Sequence, residues 1–143
     1  SIFVANSAHI MPSCQRLNEL ALALVEARAG AKDVDIEKLH SCFSQNRFAL
    51  LQGWMARLIA DVLLTVDERH WSEAENWIRT AIVADSANGM KLHLGRDYAM
   101  YGRVCKLTKR KGEAESYLTK AVQIFRFCGA EGDLNKLTET GLI

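Results

Sequence analysis

Two similar segments forty residues apart limit how this chain folds more than any other feature. Residues 71–82 read WSEAENWIRTAI and residues 111–122 read KGEAESYLTKAV. Glu73/Glu113, Ala74/Ala114, Glu75/Glu115 and Ala81/Ala121 are identical, and Trp77/Tyr117, Ile78/Leu118 and Ile82/Val122 keep aromatic or aliphatic character. The apolar matches recur at i, i+4 and i+7, which is one face of an α-helix. Repetition at a period of about 20–50 residues marks a stacked architecture, in which each unit buries its apolar face against its neighbours. The expected fold is therefore all-α: a stack of antiparallel helix pairs with about six main helices, right-handed if it follows the helical-repeat families.

The second copy is the fuller one. Tyr98, Gly102 and Cys105 lie on one predicted helix, and Ala114, Leu118 and Ala121 on the next. Small residues stand where two helices must approach closely, with large ones a turn away. In this respect residues 91–128 resemble a tetratricopeptide repeat, and residues 47–87 keep its second-helix half as Ala74, Ile78 and Ala81. On this alignment Val62 stands where the family has Gly and Thr65 where it has a large residue. The family's closing Pro is absent, and the spacing exceeds the usual repeat of about 34 residues. The run from Ala121 to Ala130 also resembles the last repeat of bacterial signalling proteins, where such repeats follow ATPase, cyclase or kinase modules.

Taken in order, residues 1–12 read as irregular, because Pro12 favours a first helical turn and disfavours a helical residue before it. A divergent first pair spans 13–46. Leu17, Leu20, Ala21, Leu24, Val25 and Arg28 give its first stripe, with Gly30 as the stop, and 35–45 forms a second helix. The second repeat is 47–87. Its first helix, 47–67, has Phe48, Leu51, Met55, Leu58, Ile59, Val62 and Val66 on the apolar face. Ser72-x-x-Glu75 reads as a capping box that opens the next helix. The third repeat is 90–128, with Gly129 as its C′ residue, and 129–143 forms a cap or tail with a short helix near 133–140. The 143 residues suit one domain or a piece of a longer solenoid.

Chemistry-bearing motifs are sparse. The sequence has no Gly-rich phosphate loop, no G-x-S-x-G and no H-E-x-x-H. No catalytic residue, cofactor or metal is expected: His40-x-Cys42 and the Asp67–His70 turn lack the four converging ligands of structural zinc. Cys14, Cys42, Cys105 and Cys128 form no C-x-x-C pair and have apolar neighbours, so reduced, buried thiols in a cytoplasmic protein are expected. No transmembrane run of about 18 apolar residues stands out, and the opening residues lack the basic leader of a signal peptide. Trp54, Trp71 and Trp77 suit inter-helix packing better than a stacking platform.

Charge is uneven. The net charge is +1, yet residues 91–128 carry nine Lys/Arg against three Asp/Glu. Within them Lys106, Lys109, Arg110 and Lys111 form a basic run. It reads either as an acceptor for an acidic peptide or phosphate, or as a solvated turn whose cations complement a helix end. Aromatic residues do not interleave with it, so nucleic acid gains no stacking support.

The resemblance implies that the first helix of each pair lines a concave groove. By position that gives Ala56, Ile59, Leu63 and Val66 from one helix, and Arg96, Ala99, Arg103 and Lys106 from the next. An apolar patch beside a cationic one suits an amphipathic peptide with an acidic flank. The alternatives are that the chain's own N-terminal helices, or a second copy in a homodimer, cover the apolar positions. The expected function is protein–protein interaction or scaffolding, as the regulatory part of a larger bacterial signalling protein. A small-ligand sensor and a self-association module are the other readings, and no membrane partner is expected.

Overall fold

Each helix begins and ends where the sequence supplies a turn. In the computed structural model the described residues are 2–143, with side chains from Pro12 onward. Seven helices follow one another: α1 Ile2–Arg28, α2 Ile36–Ser44, α3 Gln52–Val66, α4 Trp71–Ala87, α5 Lys91–Leu107, α6 Lys111–Cys128 and α7 Glu131–Glu139. Single 3₁₀ turns precede α3 and α4. Among the described residues there is no strand. Gly30, Gly89, Gly129 and Gly141 follow helices with φ between 67° and 103°, a region that costs a glycine nothing. Lys109 takes the same left-handed backbone, φ 61°, in the α5–α6 turn.

The paired helices run antiparallel, and small residues set their separation. A Cβ at Gly95 would sit 2.9 Å from the Phe125 ring, and one at Gly102 would sit 2.6 Å from Leu118 Cγ. Seven residues forward along α5 thus correspond to seven back along α6. In the α3–α4 pair a Cβ at Gly53 would collide with the Asp85 carboxylate. The same step of seven places Ala60 opposite Ile78, and both are fully buried.

This corrects the alignment of the two copies. Gly53 and Gly95 are 42 residues apart, whereas Asp85 and Phe125 are 40 apart. The link between the two helices of the first copy is therefore two residues longer. Ala60, not Val62, is the counterpart of Gly102, and Leu63 is the counterpart of Cys105. The first copy keeps a small residue and a large one at these two places.

The core is centred on α3, which buries eleven residues, from Gly53 to Val66. It is packed by α1, α4 and α5. The stretch Ala49–Val66 is long and apolar enough to cross a membrane, with a mean hydropathy of 1.4, contrary to the expectation of no such run. It is mostly buried as the central helix of the bundle. Leu118, Ala121, Phe125 and Leu137 form a second apolar cluster joining α6 to α7. The two pairs are also tied by Glu75 of α4. Its carboxylate accepts bonds from Arg110 (2.9 and 3.0 Å), the Tyr101 hydroxyl (2.9 Å) and Arg79 (2.8 Å).

Four further expectations change. Residues 2–11 continue α1, and Pro12 lies inside that helix. Proline's restriction on the preceding residue biases a helix boundary without fixing it. The buried stripe of α1 is Leu17, Leu20, Leu24 and Ala27, while Val25 is 62% exposed and Ala21 faces solvent. Ser72-x-x-Glu75 is no capping box, because Ser72 is already inside α4 and Glu75 serves the Arg110 network. Asp67 does the local capping, accepting the Arg69 backbone N–H at 2.9 Å. The cysteines are all free, but only Cys42 and Cys105 are buried; Cys14 is half-buried and Cys128 is exposed.

Gly102→Leu tests the seam. The new side chain has no room beside Leu118, so the fold should lose about 1–3 kcal/mol, as overpacked cores do. A denaturant titration gives the value, and an unchanged midpoint would contradict this helix spacing.

Candidate functional site

A cleft of about 740 Å³ lies between α5, α7 and the C-terminal residues. Helix spacing builds its main wall: Arg96, Ala99, Met100, Arg103, Lys106 and Leu107 recur at three- and four-residue steps along one face of α5. Asp133, Lys136 and Leu137 face them from α7, with Thr140 and Leu142 just beyond it. Arg28 enters from α1, Arg57 from α3 and Phe125 from α6.

The lining mixes apolar side chains, among them the buried Phe125 and Leu137, with cations. Arg28, Arg57, Arg96, Arg103, Lys106 and Lys136 supply six cations, and Asp133 is the one carboxylate among the lining residues. Several cations are held in place by partners. Arg96 grips Asp133 with two bonds, 2.9 and 3.2 Å. This guanidinium holds the Asp133 carboxyl below its ordinary range. Arg28 and Arg103 take opposite oxygens of the nearly buried Asp61, at 2.9 and 3.2 Å. Lys106 donates to the carbonyl oxygens of Gly141 (3.2 Å) and Leu142 (2.7 Å), neither of which cancels its charge. Arginines fixed in this way present planar donors at little further entropy cost.

Of the residues expected from sequence, Arg96, Ala99, Arg103 and Lys106 are brought together here. Ala56, Ile59 and Leu63 are not. All three are fully buried and Val66 nearly so, because α1 lies against α3 and shares its core cluster. The chain's own N-terminal helix covers the apolar half of the expected groove. The basic run also divides. Arg110 turns away to Glu75 and Glu113, while Lys106 alone of that run reaches this cleft. Arg28, Asp133 and Lys136 were not expected, since they come from helices outside the repeat motif, and Arg57 lies on α3 at a position the resemblance does not assign to the groove. Trp77 packs edge-on against Phe43 at 4.8 Å, and Trp71 Nε1–H reaches the Leu64 carbonyl at 3.3 Å, so both serve packing. Trp54 lies 5.2 Å from the His93 ring.

Beneath the cleft, Arg57 organises a buried polar cluster. It donates to Asp97 at 2.6 Å and to the His93 carbonyl at 3.1 Å, and its second nitrogen lies 3.0 Å from His93 Nδ1. Asp85 lies 3.9 Å away, and Asp85 and Asp97 are almost wholly buried. One oxygen of each carboxyl, Oδ2, has no hydrogen-bond partner, and a proton on one carboxyl would let it bond to the other. Burial first, and then the bond to Asp85, push the Asp97 pKa up to about 8, so that proton stays at neutral pH. The cluster is then close to neutral: one guanidinium, one carboxylate and one carboxylic acid. Burial and the neighbouring Arg57 also lower the pKa of His93. Among the described residues no group of His, Cys, Asp or Glu is placed to hold a metal.

The proton on Asp97 gives a pH dependence with a definite sign. In the unfolded chain this carboxyl ionises near 3.8, whereas in the fold it does so near 8. Between those values the folded state binds the extra proton, so stability falls as pH rises, by up to about 1.4 kcal/mol per pH unit. Asp97→Asn, which keeps a donor toward Asp85 without a titrating group, should flatten this slope. Denaturant midpoints measured across the window check it, and identical slopes for both proteins would place the proton elsewhere.

No protein-family model matches the sequence, and no curated protein or solved structure matches it. The cleft must be interpreted from its own chemistry.

Proposed function

We propose that this is a protein-interaction domain whose cleft receives an acidic, partly apolar segment of a partner protein. The observation that carries this reading is the surplus of positive charge beside the cleft's apolar residues: Asp133 balances Arg96, Asp61 balances one of Arg28 and Arg103, and Arg57 is neutralised within its own cluster, which leaves one guanidinium, Lys106 and Lys136. An acidic segment would gain charge-assisted bonds from Arg96, Arg103 and Lys106, and its apolar residues would meet Ala99, Met100 and Leu107. Arg28 and Lys106 remain exposed to solvent, which suits a segment entering from outside. In keeping with the tetratricopeptide-like repeat, the role would be regulation or scaffolding within a larger bacterial signalling protein.

A small anionic ligand is the second reading. A volume of about 740 Å³ falls within the range of roughly 300–1,000 Å³ typical of small-molecule sites. Citrate or inorganic phosphate that displaced an acidic peptide at low concentration would favour it.

Fluorescence anisotropy with a labelled Glu/Leu-rich helical peptide, and an Arg/Leu-rich one as control, tests the reading. The acidic peptide should bind more weakly as salt is raised. Replacing Arg96 and Arg103 together by Ala should cost at least about tenfold in affinity, or ~1.4 kcal/mol. Circular dichroism should stay unchanged. Equal binding by wild type and the double variant would remove the cleft as the site.

A further inference from the structure

Resting on that reading of the cleft, we propose that its occupant is the outer face of α1 from a second copy of the chain, giving a two-fold dimer. The face is unusual for a solvent surface. Leu22 is 58% exposed and Val25 62% exposed, and Ala29 continues the strip one turn on. Glu19 and Glu26 flank it on one side. Among the described residues Glu26 forms no ion pair. Burying one such aliphatic side chain contributes about 1.5–3 kcal/mol, so leaving two together in water forgoes an appreciable stabilisation.

Charge and position match the cleft. The strip is apolar with an acidic edge, and the cleft holds apolar residues beside a surplus of cations. Leu22 to Ala29 spans about two turns. Continuity selects a two-fold arrangement. A two-fold contact uses the same patch on both copies, so strip and cleft must adjoin. They adjoin at Arg28, which lines the cleft and lies one turn beyond Val25 on α1. Its bond to Asp61 fixes that edge against α3. Leu107 lines the cleft itself, and the other exposed large apolar residues lie on other elements: Leu50 just before α3 and Trp54 at its start, Val83 on α4, Phe127 on α6 with Lys91 Nζ 4.0 Å from its ring centroid, and Ile143 at the C-terminal end.

Native mass spectrometry and sedimentation equilibrium over the micromolar range test the dimer. Wild type should be dimeric at the upper end and dissociate on dilution or in high salt. Val25→Asp and Glu26→Arg should each weaken the dimer at least about tenfold. Both positions face solvent, so the melting temperature of the monomer should not move. A wild-type monomer throughout, a dimer indifferent to both substitutions, or an open-ended ladder of larger species would each overturn the proposal. The acidic-peptide assay separates this from failure of the cleft reading. A monomer that binds the peptide through Arg96 and Arg103 sinks the dimer alone, whereas peptide binding that ignores those arginines sinks the cleft.

Discussion

Two helices can lie close together only where one of them gives up side-chain volume along the seam. Gly95 and Gly102 do this for α5, and Gly53 and Ala60 for α3. Much else follows. The space at Gly53 is filled by the Asp85 carboxylate, which brings a charge into the core. A buried carboxylate is costly unless paired. Arg57 and the protonated Asp97 meet that need, and Arg57 is held where it also reaches the cleft floor. One close approach between backbones thus fixes a polar cluster, and the cluster positions a residue of the candidate site.

The all-α architecture was legible because the periodicity of residues 71–82 and 111–122 is strong and local. Gly102 could be read as a contact residue from its spacing to Ala114 and Leu118. The first copy was harder. A constant offset of forty follows α4 and α6 but not α3 and α5, where the close-approach glycines differ by 42. Two additional residues in a link leave both helical patterns intact while sliding one past the other. Pro12 misled for a related reason, since a local preference was overridden by the continuing helix.

Half of the candidate site was legible and half was not. The face of α5 repeats at helical spacing, so Arg96, Ala99, Arg103 and Lys106 could be grouped without knowing the fold. Ala56, Ile59 and Leu63 obey the same rule on α3, but a central helix is covered on every side. Which apolar face stays open depends on where α1 lies, and that is a long-range contact. The same applies to Asp133, 37 residues from Arg96. Glu75 shows the limit from the other side. A pattern that reads as a cap within its own helix instead joins two repeats, through an arginine 35 residues away.

The wall made by α7 differs in kind from the rest of the cleft. It buries one residue, Leu137, where α3 buries eleven. Leu134 and Leu142 add partly buried apolar contacts to the cluster around Leu137, and its hydrogen bonds to α5 run through Asp133 and the two carbonyls that Lys106 holds. Segments with few buried apolar contacts open at a small fraction of the global unfolding free energy. Residues 131–143 are therefore among the less costly of the described segments to lift. One wall of the cleft then depends on a segment that can open while the α3-centred core stays folded, and amide protons of α7 should exchange before those of α3.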